Sequence, residues 1–120
     1  MFRLINKKDS IIYYNYNELG YNILPTKKGY TIIKNGSNKN LKNDFILSVS
    51  TNTYDIKGRL LYTEDKIDFT YNNQKFCFGI IKYKNNDFYI ETKNNLIPLS
   101  LAEDIYLSDY YNDPLSGLYI

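Results

Sequence analysis

The chain has 120 residues, a net charge of +2, no histidine and a single cysteine, Cys77. That composition excludes an internal disulfide and metal sites of the Cys/His kind, and it suits a reducing compartment. A domain of this length buries about 65% of the surface its unfolded chain exposes, so it needs no covalent staple.

In chain order, Phe2-Arg3-Leu4-Ile5 is a short apolar start, Asn6 to Ser10 is a turn, and Ile11 to Tyr14 is a second strand that closes a hairpin. Asn15 to Leu19 is ambiguous. Tyr21 to Leu24 is strand-like and stops at Pro25, which cannot donate to a ladder. Lys27-Lys28-Gly29 turns the chain into Tyr30 to Ile33, again strand-like. Lys34 to Asp44, KNGSNKNLKND, is the most polar stretch and reads as a mobile loop. Asn35-Gly36-Ser37 within it matches a glycosylation sequon, which is better read as a turn in a chain that is not exported. Phe45 to Val49 is a buried strand, and Ser50 to Thr53 turns toward the centre.

The clearest stretch is Asp55 to Glu91. Ile67, Phe69 and Tyr71 alternate with Lys66, Asp68 and Thr70, the period-two pattern of a strand with one buried face. Asn72-Asn73 follows, a pair that tolerates positive φ, and then Phe76, Phe78 and Ile80 alternate with Lys75, Cys77 and Gly79. Gly79 inside this second strand marks a bulge or sharp bend that lets a small sheet coil. Lys84 to Asp87 is a polar turn, and Phe88-Tyr89-Ile90 is a third strand. Asn94-Asn95 turns, Leu96 to Leu99 is apolar, and Ser100-Leu101-Ala102-Glu103 fits a capping box at the start of one helical turn. The tail Leu118-Tyr119-Ile120 is apolar enough to pack on the barrel or meet a partner.

Three groups of residues in this order resemble YopX-like proteins of bacteriophages. Asp55, Gly58, Tyr62, Asp65 and Ile67 follow D-x-x-G-x-x-x-Y-x-x-D-x-V, and Gly79, Ile81, Tyr83 and Phe88 follow G-x-V-x-[FY]…F. Phe2-Arg3 with Lys7-Lys8-Asp9 and Tyr13 resembles the family's opening, and Ile105 to Pro114 its closing V-I-G-N-I-Y-E-N-P. Residues 15–54 are unmatched; Ile5, Glu64 and Ser108-Asp109 depart from the pattern. The resemblance implies a phage, prophage or other mobile element of a low-GC bacterium, and a family without assigned chemistry.

The architecture expected is mainly β in a single domain: a small bent SH3-like barrel over 54–92, an antiparallel N-terminal and middle sheet with its polar loop over 1–53, and a segment 93–120 with one short helix near 100–106.

An active site is not expected. Histidine, the usual acid/base group at neutral pH, is absent, and so are a phosphate-cradling glycine loop and a nucleophile elbow. Glu64 and Asp65 enter a strand at a turn, where they hold backbone N–H groups and stay solvated. Cys77, between two phenylalanines, reads as a small packed or strand-face thiol, and no cofactor is implied. No apolar run reaches bilayer length and the start lacks a secretory apolar segment, so the expected location is the cytosol of a bacterial host, away from the membrane.

The remaining resource is fourteen tyrosines, a residue that offers large contact area at low entropic cost. The partner-contact candidates are Tyr13, Tyr14, Tyr62, Tyr83, Tyr110 and Tyr111; an extended doublet must point one ring outward. The leading expectation is a non-catalytic protein that binds a host or phage protein, such as a host defence nuclease including a CRISPR effector. A second is a nucleic-acid accessory protein: residues 1–50 carry eight basic and three acidic groups, with Lys27, Lys28, Lys34, Lys39 and Lys42 placed to meet phosphates. A third is a homo-oligomeric structural or assembly subunit of a phage.

Overall fold

In the computed structural model, which describes residues 2–9 and 11–108, short alternating segments separated by Asn- and Gly-bearing turns become strands. They are β1 (Phe2–Asn6), β2 (Ile11–Tyr13), β3 (Tyr21–Thr26), β4 (Gly29–Lys34), β5 (Phe45–Tyr54), β6 (Leu60–Tyr62), β7 (Lys66–Tyr71), β8 (Gln74–Lys84), β9 (Asp87–Glu91), β10 (Leu96–Pro98) and β11 (Glu103–Leu107). The described chain is mainly β, as expected.

The central sheet is a curled half-barrel in the order β10-β9-β8-β7-β11. Two of its turns are the asparagine pairs: Asn72-Asn73 at φ 50° and 61° and Asn85-Asn86 at φ 50° and 65° join hairpins closed by Tyr71 opposite Gln74 and Lys84 opposite Asp87. Both residues of each loop are left-handed, which matches the twist of the flanking strands. Inside the curl, Leu61, Ile67, Phe69, Ile81, Ile90, Ile97, Leu99 and Ile105 form one buried cluster.

The alternation expected along β8 does not run through. Phe69 faces Phe76 and Ile67 faces Gly79, so two residues, Cys77 and Phe78, stand opposite Asp68 alone. This bulge flips the pattern: Phe76 packs against the core, Phe78 turns outward at 58% exposure, and Gly79 and Ile81 take the inward places. Gly79 fits because nothing larger would. A Cβ there would lie 2.5 Å from Ile90 Cγ2 and 2.8 Å from Phe69 Cε1.

A second sheet, β2-β1-β5-β6, shows the expected N-terminal hairpin, with Leu4 opposite Tyr13. β3 and β4 form a separate ribbon. The ribbon and one face of the second sheet enclose another core of Leu4, Ile32 and Phe45, with Tyr13, Tyr21, Ile23 and Leu41 packed around it. β3 continues through Pro25, where a stop was expected; a two-stranded ribbon has a free outer edge, and there a missing N–H is harmless. β5 likewise continues to Tyr54 through the expected turn, bending where its register with β6 shifts between Ser50 and Tyr54. The polar stretch 34–44 folds back on β4: Leu41 N–H donates to the Ile32 carbonyl (2.7 Å), and the Asn40 side chain accepts the N–H groups of Ile32 and Lys42.

At the far end, the helix expected near 100–106 is limited to a 3-10 turn over Leu99–Leu101. Residues 103–107 run as β11 instead, because pairing with the open edge of β7 buries Ile105 and satisfies backbone groups that a single helical turn would leave unpaired. The tail 109–120, with Tyr110, Tyr111 and Leu118 to Ile120, lies outside the described residues.

Candidate functional site

The two cores meet at Arg3, a guanidinium only 3% exposed. Its Nε donates to Ser48 Oγ (2.7 Å), one terminal nitrogen to the Tyr14 hydroxyl oxygen (3.2 Å), and the other to the Thr63 carbonyl (3.4 Å) and Asp65 Oδ1 (2.5 Å). The Tyr62 ring lies 4.5 Å from the guanidinium carbon, and Asp65 Oδ2 accepts the Tyr62 N–H (2.8 Å). Asp65, expected to stay solvated, is 1% exposed; its partner comes from β1, 62 residues away, which local sequence cannot reveal. Such a fully bonded network is suited to joining sheets.

The arrangement with chemical reach to outside molecules is a groove on the outer face of β7. A bulge flanks that strand on each side. The first is the Cys77-Phe78 bulge of β8; the second is in β11, where the register against β7 shifts between Glu103 and Tyr106 and Asp104 takes φ 50°. Between them lies a cavity of about 360 Å³ lined by Ile56, Asp68, Thr70, Lys75, Phe76, Cys77 and Asp104, with Phe69 at its base.

Ile56, 63% exposed, is held on the rim by Asp55. The carboxylate of Asp55 accepts the N–H groups of Lys57 (3.0 Å), Arg59 (2.9 Å) and Leu107 (3.0 Å) and the Arg59 Nε (2.9 Å), tying the turn at 55–59 to β11. Burial pushes this carboxyl up, but those donors outweigh it and hold Asp55 below the ordinary carboxylate range. Ile56 N–H then donates to the Ile105 carbonyl (2.8 Å). On the opposite side Asp68 Oδ1 accepts the Phe78 N–H (3.3 Å), which steadies the bulge that turns Phe78 outward. Apolar walls with Asp68, Asp104 and Lys75 around them can seat an apolar side chain that carries a cation beside it. Among the described residues no group of three His, Cys, Asp or Glu side chains is placed to hold a metal.

The tyrosines picked from sequence are scattered instead of gathered. Tyr13 is half-buried and stacks on Tyr21 at 5.7 Å, whereas its neighbour Tyr14 is 58% exposed, so this doublet does split. Tyr62 is 5% exposed and belongs to the Arg3 network, which removes it as a contact residue. Tyr83 is 52% exposed and packs on Phe88. Lys27 and Lys28 occupy the exposed tip of the β3-β4 ribbon, and Lys39 lies in the exposed loop. Lys34 and Lys42 sit over the rings of Tyr21 and Tyr30 at 5.3 and 4.6 Å. Cys77 is exposed on the strand face.

Sequence reasoning missed Phe78, Ile56 and Asp104. Gly79 signalled a bulge nearby, but which side chains it flips depends on the register with β7. Asp104 carried no signal, since its segment read as helix. Compared with known proteins, the chain matches no family model, no curated protein and no solved structure.

Proposed function

We propose that this is a non-catalytic, YopX-like protein of a phage or prophage that works in the cytosol of its bacterial host by occupying the surface of a protein. The observation that carries the reading is the pair of bulges on either side of β7. Bulges re-aim side chains, and a bulky residue such as Phe at φ 65° costs backbone energy that a purely structural role gives no reason to keep. Here they present Phe78 and open an apolar groove edged by Ile56. The fitting partner is a host or phage protein, for instance a defence nuclease, that inserts an apolar side chain flanked by Lys or Arg.

The family assignment draws support from where its residues fall: Arg3, Tyr62 and Asp65 converge in one network, and Asp55 and Gly58, at φ 79°, close one turn. The barrel is read as SH3-like on its connectivity. β7 to β10 form a meander, a 3-10 turn follows, and β11 returns to pair with β7.

The test is affinity capture from infected host cells with the wild-type chain and with Phe78→Ser/Ile56→Ser, two exposed positions. A stoichiometric protein retained by the first and lost by the second is the expected result. Recovery of no partner, or of the same partner by both, overturns the reading.

A further inference from the structure

A second concavity lies among the N-terminal strands, made of different residues from the β7 groove. It encloses about 550 Å³, within the range of small-ligand sites of roughly 300–1,000 Å³. Its apolar side is Tyr21, Phe45 and Leu41, where the Tyr21 ring meets Phe45 edge-on at 5.1 Å and stacks on Tyr13. Its rim carries Lys7 and Lys8, both exposed, with the Asn43 amide beside them. Lys34, outside the lining, sits over the Tyr21 ring at 5.3 Å.

The rim is held in place by backbone bonds from two directions. Asn6 Oδ1 accepts the N–H groups of Lys8 (2.9 Å) and Asp9 (3.1 Å), and Lys7 N–H donates to the Asp44 carbonyl (3.2 Å). The four ion pairs found among the described residues lie elsewhere, so the charges of Lys7 and Lys8 are not neutralised by them. Asp44 is the one acid in the lining and opposes an anion there.

We infer that this cleft binds a nucleotide unit, free or within a single strand. The base lies against the Tyr21, Phe45 and Leu41 side, the Asn43 amide meets its polar edge, and the phosphate is held by Lys7 and Lys8. Aromatic surface next to unneutralised cations suits that combination, since rings take the base and ammonium groups the phosphate. The site stands or falls separately from the β7 groove.

The test titrates the full chain with adenosine monophosphate, with labelled oligo(dT) and oligo(U), and with inorganic phosphate, at about 50 and about 200 mM salt. The expected result is binding of the mononucleotide or of a strand, with inorganic phosphate at least about tenfold weaker because it lacks the stacking base. A strand bound where the mononucleotide is not assigns the cleft to nucleic acid; the reverse assigns it to a free nucleotide. Lys7→Gln/Lys8→Gln, on exposed side chains, weakens binding about tenfold or more and, for a strand, flattens the salt slope by about 1.4. Asp44→Asn tightens it, and Tyr21→Leu, checked for folding by circular dichroism, removes the advantage over phosphate. Absence of binding at millimolar ligand, phosphate bound as tightly as nucleotide, or affinity unchanged in the lysine variant overturns the inference.

Discussion

Asp65→Asn tests what joins the two cores. The substitution keeps the shape and one oxygen for the Tyr62 N–H, yet it removes the charge opposite a guanidinium that is 3% exposed. Removing one partner from a buried ion pair costs about 3–5 kcal/mol, because the other charge stays desolvated. Against a total stability of about 5–15 kcal/mol for a domain, that is about a fifth or more of what holds the chain folded. With a urea slope of about 1–3 kcal/mol per molar, the midpoint falls by one to several molar, read in parallel by circular dichroism and tyrosine fluorescence. Arg3→Met is costly too, since it takes the cation from the buried Asp65 carboxylate and from the faces of the Tyr14 and Tyr62 rings. Arg3→Met/Asp65→Asn strands neither charge, so it loses far less than the sum of the two single changes. A loss below about 1 kcal/mol for Asp65→Asn, or additive single effects in the cycle, refutes the account.

Three further outcomes follow from other positions. Asp55 is held below its ordinary value of 3.8, so its contribution is complete above that value and is lost as pH falls through the lower folded one; Asp55→Asn costs about 1–3 kcal/mol at neutral pH, and urea midpoints below pH 4 converge with those of the wild type, whereas a constant gap would contradict this. Gly79→Ala forces a Cβ into Ile90 and Phe69, costing about 1–3 kcal/mol; an unchanged thermal midpoint would show that the close approach is absent in solution. Phe78→Gly relieves a left-handed phenylalanine and gains about 1 kcal/mol, so a less stable variant would mean that the exposed ring contributes packing.

Where local pattern and local chemistry agree, the fold was legible. The strand at 66–71 and both asparagine hairpins came from alternation and from residues that tolerate positive φ, signals that need nothing beyond a few neighbours. The failures share a cause in long-range pairing. Ser100 to Glu103 offered an acceptable helix start, yet β7 had an open edge and Ile105 a core to enter, and tertiary burial outweighed the cap. Phe78 read as inward because alternation counts residues evenly, and a bulge breaks the count. Asp65 read as solvated because Arg3 is distant in the chain. The site was hidden for the same reasons: exposed tyrosines were predictable as a class, but the groove exists only after three strands have set their register.

Backbone strain separates the structural parts of this molecule from the parts with something left to explain. Eight described residues other than glycine have positive φ, and five are asparagines, which bear that conformation at little cost. The other three are Glu64, Phe78 and Asp104. Glu64 is answered locally: its N–H donates to the Ile81 carbonyl (2.8 Å), its carboxylate pairs with Lys82 (2.9 Å), and the neighbouring Asp65 anchors the network between sheets. Phe78 and Asp104 stand at the bulges on opposite sides of β7; the Phe78 N–H donates to Asp68 Oδ1 (3.3 Å), and Asp104 lines the groove while Phe78 follows its lining residue Cys77. Aspartate, like asparagine, tolerates the left-handed region, so the costly position is Phe78, where glycine would serve the backbone at lower cost. On the proposed reading the outward Phe78 ring is kept for what it contacts, and a Phe78→Gly chain that is more stable yet fails to hold its partner is the signature of that trade.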